Sequence, residues 1–188
     1  MYVLDGSGSV SSSDFDMAKN AIADSLEDFT IGANGTRVGF IVYKPSITTH
    51  LTLEASATLG IIGSKMAIEG VVYPNGGTNT GAAITTAILH FASVGDVNRV
   101  KAIVVITDGE SSDSVTGPAT TAANTGITMY AIGVGRNVDD AELLQIVNNE
   151  NSRVLTIADM SELGTTLGAL DTSVCNSTNS TTTPSSET

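Results

Sequence analysis

Asp5, Ser7 and Ser9 stand at alternating positions in Val3-Leu4-Asp5-Gly6-Ser7-Gly8-Ser9-Val10, where an apolar run gives way to a polar one. All three carry oxygen and none is a thiol or imidazole, so a metal gathered there is a hard cation such as Mg²⁺. Gly6 and Gly8 supply the backbone freedom to turn the three oxygens toward one point. A plain Gly/Ser turn is the alternative reading of this stretch alone. Two further segments offer the same chemistry: Thr78 in the polar loop Pro74-Asn75-Gly76-Gly77-Thr78-Asn79-Thr80, and Asp108 in Thr107-Asp108-Gly109-Glu110. Two carboxylates and three hydroxyls suit an octahedral Mg²⁺, with Ca²⁺ or Mn²⁺ as substitutes. If either carboxylate sits behind a water, the ion stays electron-poor and favours an anionic ligand from outside, most simply a partner's Asp or Glu.

These segments converge only if the elements before them do. Val3-Leu4 and the continuous β-branched run Ala102-Ile103-Val104-Val105-Ile106 read as buried strands, each ending at an aspartate. Ser13 with Asp16 reads as the cap of a helix carrying Phe15, Ala18, Ile22, Leu26 and Phe29. Val38 to Tyr43 and Ile47 to Leu53 form a hairpin, the second strand alternating like an edge strand with one wet face. Leu59, Ile62 and Met66 mark a weaker helix interrupted by Gly60 and Gly63, and Ala82 to Phe91 an amphipathic one. Ser114 to Asn124 reads as helix, Ile127 to Val134 as buried strand, and Asp139 with Glu142 as the cap of a short helix. Arg153 to Ile157 is a last strand, and Asp159 with Glu162 caps a final helix bearing Met160, Leu163, Leu167, Leu170 and Val174. Alternating strands and helices predict an α/β fold: a doubly wound, mostly parallel central sheet with one antiparallel edge strand and helices on both faces. In such sheets ligands bind beyond the carboxyl ends of the strands. Asp5 and Asp108 then share a rim if their strands are neighbours, and Thr78 can reach it.

Composition narrows the partner. Eight basic against twenty acidic residues in 188 give a net charge of −12, which argues against nucleic acid and anionic membrane and favours a cation. Apolar runs are of strand length, so no membrane insertion is expected. Val3 and Leu4 follow Met1 with no basic or signal-like segment ahead, which reads as a first strand clipped from a longer polypeptide. Residues 1–175 read as one domain and 176–188 as a Ser/Thr-rich linker or stalk. Cys175 is the single cysteine, either a free buried thiol or the half of a disulfide whose mate lies outside this stretch. Asn34, Asn176 and Asn179 sit in glycosylation acceptor patterns, which carry meaning only in a secreted chain.

Asp5-Gly6-Ser7-Gly8-Ser9, Gly76-Gly77-Thr78-Asn79-Thr80 and Thr107-Asp108-Gly109 together resemble the three motifs of the von Willebrand factor type A domain, in that family's order, over roughly Tyr2 to Cys175. The resemblance implies a metal-ion-dependent adhesion site with Ser7, Ser9 and Thr78 as hydroxyl ligands and Asp5 and Asp108 as acidic members, often acting through water. It also implies an extracellular adhesion or matrix module, with collagen or another matrix glycoprotein as protein partner. Cys175 looks like the family's terminal cysteine, whose usual mate precedes the first strand. No inserted helix of the integrin kind follows Asp108, so integrin ligand preferences are not expected.

Other classes fit less well. Ser7 lacks the flanking glycines of a nucleophile elbow, and nothing places His50, on the wet face of the edge strand, or His90, at a helix end, beside it. The chain is therefore expected not to be an enzyme. Gly6-x-Gly8 has neither the third glycine of a dinucleotide fingerprint nor a following G-K-[ST]. Glu110, Asp113, Asp139 and Asp140 read as surface or capping carboxylates, and Lys44, Arg99 and Lys101 are too scattered for an anion site. The second hypothesis is a structural assembly module of a matrix or skeletal polymer, with a vestigial or Ca²⁺-loaded site.

Overall fold

The computed structural model describes residues 1–44, 46–94, 98–136 and 138–176, the last six as helix backbone only. Six strands form one sheet: β1 (Tyr2–Asp5), β2 (Phe40–Tyr43), β3 (Ile47–Leu51), β4 (Lys101–Thr107), β5 (Ile127–Val134) and β6 (Val154–Ile157). Their order is β3-β2-β1-β4-β5-β6, with every pair parallel except β2 and β3. The doubly wound sheet with one antiparallel edge strand is thus the architecture the alternation implies.

Side chains alternate across the sheet, and each face receives its own helices. Tyr2, Leu4, Phe40, Val42, Val104, Ile106 and Ile132 pack against α1 (Ser12–Ser25), α2 (Leu53–Glu69) and α6 (Leu163–Asn176). Val3, Ile41, Tyr43, Ile103, Val105 and Ala131 pack against α3 (Thr80–Val94), α4 (Thr116–Asn124) and α5 (Asp140–Ile146). No helix among the described residues is long and apolar enough to cross a membrane.

Strand order places the reversal of winding between β1 and β4, the switch point at which open α/β sheets bind ligands. Leu4 lies opposite Ile106, so Asp5 and Thr107 leave the sheet side by side and Asp108 follows.

Several local expectations are corrected. The cap of α1 is Ser11, whose hydroxyl accepts from the Asp14 N–H at 3.0 Å, and not Ser13. The same Ser-x-x-Asp spacing occurs two residues apart in this serine run, so spacing alone could not choose. Phe29 lies beyond the helix, after a 3-10 turn over Leu26–Asp28. Thr52 caps α2, so Leu53 opens that helix and does not end β3. Within α2, Gly60 takes a left-handed φ of 62°, which splits the helix, while Gly63 stays helical. Leu59, Ile62 and Met66 face solvent, 50%, 74% and 67% exposed, and it is Leu53, Ser56, Ser64 and Ile68 that face the core. Of the stalk expected over 176–188, Asn176 ends α6 and residues 177–188, Asn179 among them, lie outside the described residues, as do the Val174 and Cys175 side chains.

Ile68→Ala should destabilise the fold by about 2–5 kcal/mol in chemical denaturation. Ile62→Ala, one helical face away, should change it by no more than about 0.5 kcal/mol.

Candidate metal centre

Asp5, fully buried at the end of β1, organises the rim. Its Oδ1 accepts from the Ser7 backbone N–H at 2.8 Å and its Oδ2 from the Thr107 hydroxyl at 2.9 Å. Burial pushes the Asp5 carboxyl above the ordinary aspartate range. The bonds from Ser7 and Thr107 oppose that rise, and the nearby charge of Asp108 adds to it. Beneath it lies the fully buried Tyr43, whose phenol is raised well above its usual value by burial first and by the Asp5 charge second. Thr80 Oγ1 donates to that phenol at 3.3 Å.

Above Asp5 the hydroxyls form a chain. Ser9 Oγ donates to Asp108 Oδ1 at 2.7 Å, joining residues 99 apart in sequence. With its one hydrogen so used, Ser9 accepts from Ser7, the two oxygens being 2.9 Å apart. Asp5, Ser7, Ser9 and Asp108 are therefore brought together in one hydrogen-bonded set. Gly6 is needed there for space, because a Cβ would lie 2.6 Å from Pro74 Cγ and 2.9 Å from Val42 Cγ1. Neither Gly6 nor Gly8 has a positive φ, so the expected reliance on unusual backbone angles is replaced by close approach of the second loop.

That second loop carries Thr78. The Gly8 N–H donates to the Gly76 carbonyl at 2.7 Å, and the Ser112 N–H to the Thr78 carbonyl at 2.6 Å. Thr78 is half-buried in a loop held against both aspartate loops, but no hydrogen bond among the described residues joins its hydroxyl to the other four.

Asp113, read from the sequence as a surface or capping carboxylate, proves to be a cap, while the partners of Glu142 and Tyr73 escaped the sequence reading. Asp113 accepts from the Gly81 and Ala82 N–H groups, both at 2.8 Å, and from the Ser111 hydroxyl at 2.7 Å. It caps α3 from a loop some 31 residues further along the chain. Asp139 caps α5 as expected, through the Ala141 and Glu142 N–H groups. Glu142 does not complete that capping box; both its carboxylate oxygens accept from the Ser111 N–H, at 2.9 and 3.1 Å. Burial raises the Glu142 carboxyl. Tyr73 donates toward the Ser7 and Val10 carbonyls. Hydrogen bonds between segments so distant leave no local pattern to read.

His50 is exposed and lies against Phe40, with burial of its ring lowering its pKa, while His90 bonds Thr49 Oγ1 at 2.9 Å within α3 and does not end the helix. Both stand at the β3 edge, not at the rim. Arg99 donates to the Ala33 and Gly35 carbonyls, at the opposite pole of the sheet.

The donor set fits a hard divalent ion. Two carboxylates and neighbouring neutral hydroxyls converge, and the buried Asp5 charge has no cationic partner among its bonds. No cluster of three or more His, Cys, Asp or Glu positioned for a metal occurs among the described residues.

A switch-point rim lined by an Asp-x-Ser-x-Ser loop and a second strand-end aspartate defines an open α/β domain with an oxygen-donor site. The chain belongs to the von Willebrand factor type A domain family, whose model matches residues 1–169. It is 33% identical over 154 residues to the human collagen alpha-1(XXI) chain, covering 81% of this chain and 16% of that one. It is 34% identical over 154 residues to bovine matrilin-1, covering 79% and 28% respectively. This chain thus spans well under a third of either relative. Among solved structures, proximal thread matrix protein 1 from the mussel byssus, with a zinc-occupied MIDAS motif, superposes with a TM-score of 0.82 at 26% identity, over 93% of this chain and 47% of that one. Manganese-loaded TRAP protein from Plasmodium vivax shares the fold, with a TM-score of 0.71 at 16% identity, over 87% and 69%.

Asp113→Ala should cost about 1–2 kcal/mol in thermal or chemical unfolding by stripping the cap from α3, and Asp113→Asn less, since one acceptor oxygen survives.

Proposed function

We propose that this domain is an extracellular adhesion module that grips a carboxylate of a protein partner through a divalent cation, Mg²⁺ in the first instance. Asp5, Ser7, Ser9, Thr78 and Asp108 would hold the ion. The observation that carries the reading is the unbroken chain from Asp5 through Ser7 and Ser9 to Asp108. The zinc-occupied MIDAS of the byssal relative and the collagen and matrilin likenesses support it.

When bound, the ion supplies an electron-poor centre with room for an outside oxygen ligand. This chain's residues keep that centre electron-poor. The hydroxyls are neutral donors, and the charge of Asp5 is buried and already shared with Ser7 and Thr107. Asp5 therefore orients the set from below, while Ser9 and Asp108, bonded to each other in an exposed position, face a partner. The partner class is a matrix protein, with collagen or another matrix glycoprotein first, and not nucleic acid. No catalytic step is assigned: among the described residues His90 bonds Thr49 and His50 lies against Phe40, and no hydrogen bond joins either to Ser7.

The likeness to a byssal thread protein favours a second reading, a structural module that assembles through other faces. Binding to immobilised collagen, measured with Mg²⁺, with chelator, and for Asp5→Ala and Thr78→Ala, separates the two. We expect binding to fall at least about tenfold in the last three cases, a loss of about 1.4 kcal/mol or more, the scale of one hydrogen bond to a charged group, with circular dichroism unchanged. Equal binding in all four would assign the domain to assembly, and unfolding on chelation would overturn the view that the core stands without the ion.

A further inference from the structure

Tyr73 lies in the loop that carries Thr78, yet its phenol acts on the other loop of the rim. Its Oη is 2.8 Å from the Ser7 carbonyl oxygen and 2.6 Å from the Val10 carbonyl oxygen, so one hydroxyl hydrogen is shared by two acceptors that bracket Ser9. The ring below packs on the fully buried Phe15 of α1, with centroids 5.4 Å apart and planes tilted by 47°. Its neighbour Pro74 fills the space over Gly6, and Gly76 takes the Gly8 N–H. The turn that presents the Ser7 and Ser9 hydroxyls is thus braced from outside by a side chain anchored in the core.

We propose that Tyr73 is a positioning residue that sets the ion selectivity of the rim, bracing the Ser7–Val10 turn at the spacing a small cation requires. The inference rests on the metal reading above. Mg²⁺ demands near-ideal octahedral geometry and short bonds, whereas Ca²⁺ accepts longer and less regular ones. A turn released from its brace can still surround Ca²⁺ but no longer holds two hydroxyls at the closer spacing. Removing the hydroxyl therefore penalises Mg²⁺ more than Ca²⁺, an asymmetry that simple loss of packing would not produce.

Calorimetric titration of Mg²⁺ and of Ca²⁺ into the wild type and Tyr73→Phe, with thermal unfolding of both in chelator, tests this. Tyr73→Phe keeps the ring on Phe15 and loses only the hydroxyl's bonds, so the unfolding midpoint in chelator should fall by no more than about 5 °C. Affinity for Mg²⁺ should fall about tenfold, the scale of one lost hydrogen bond, and affinity for Ca²⁺ by less than about threefold on the same scale. Tyr73→Leu, which also loses the ring contact, should add a drop in the midpoint to the same selectivity change. Equal losses for both ions, or no loss for Mg²⁺, in a wild type that binds Mg²⁺ would overturn this inference alone. A wild type that binds neither ion would overturn the metal reading and this inference with it.

Discussion

A carboxylate buried at the meeting of two parallel strands is the constraint on which the rim depends. Asp5 ends β1 with no exposure to solvent, and taking a charge out of water is costly unless it is compensated. Compensation here comes from the backbone N–H of Ser7, in the loop that leaves β1, and from the hydroxyl of Thr107, the last residue of β4. Because Thr107 is placed by the pairing of β1 with β4, the hydrogen bond that satisfies Asp5 also sets where Asp108 emerges. Register, solvation and site geometry are in this sense one arrangement.

Around that centre the loops stabilise one another. The Thr78 loop leans on Gly6 and Gly8 through Pro74 and Gly76, and the loop after Asp108 holds the start of α3 through Ser111 and Asp113. Glu142 reaches from α5 to the same Ser111 backbone. Polar groups that short loops would otherwise leave unsatisfied are thereby paired between loops, which is how an irregular rim can hold side chains in place on a regular sheet.

Much of this was legible in the chain. Apolar runs stopping at Asp5 and Asp108 signal strand ends, and periodicity finds the helices, because burial imposes both patterns locally. The meeting of Asp5, Ser7, Ser9 and Asp108 follows from short motifs at two strand ends, whereas no hydrogen bond among the described residues joins the Thr78 hydroxyl to them. What stayed hidden was of two kinds. Leu59, Ile62 and Met66 recur at helical spacing but face outward, and spacing says nothing about which side of a helix meets the core when both sides are apolar. The helix that Asp113 caps, and the partners of Glu142 and Tyr73, lie tens of residues away and are met only once the fold has brought them near.

The placement of β1 and β4 at the middle of the sheet bears on mechanics. β1 has a parallel neighbour on each side, and β4 is paired with β5 over Lys101–Thr107 and with β1 over Val104–Ile106. Tension applied to the rim along the strand axes would slide these strands past their neighbours, stretching many rungs simultaneously instead of unzipping them one after another. A load applied at this end of the molecule would thus be met by the most fully paired part of the sheet.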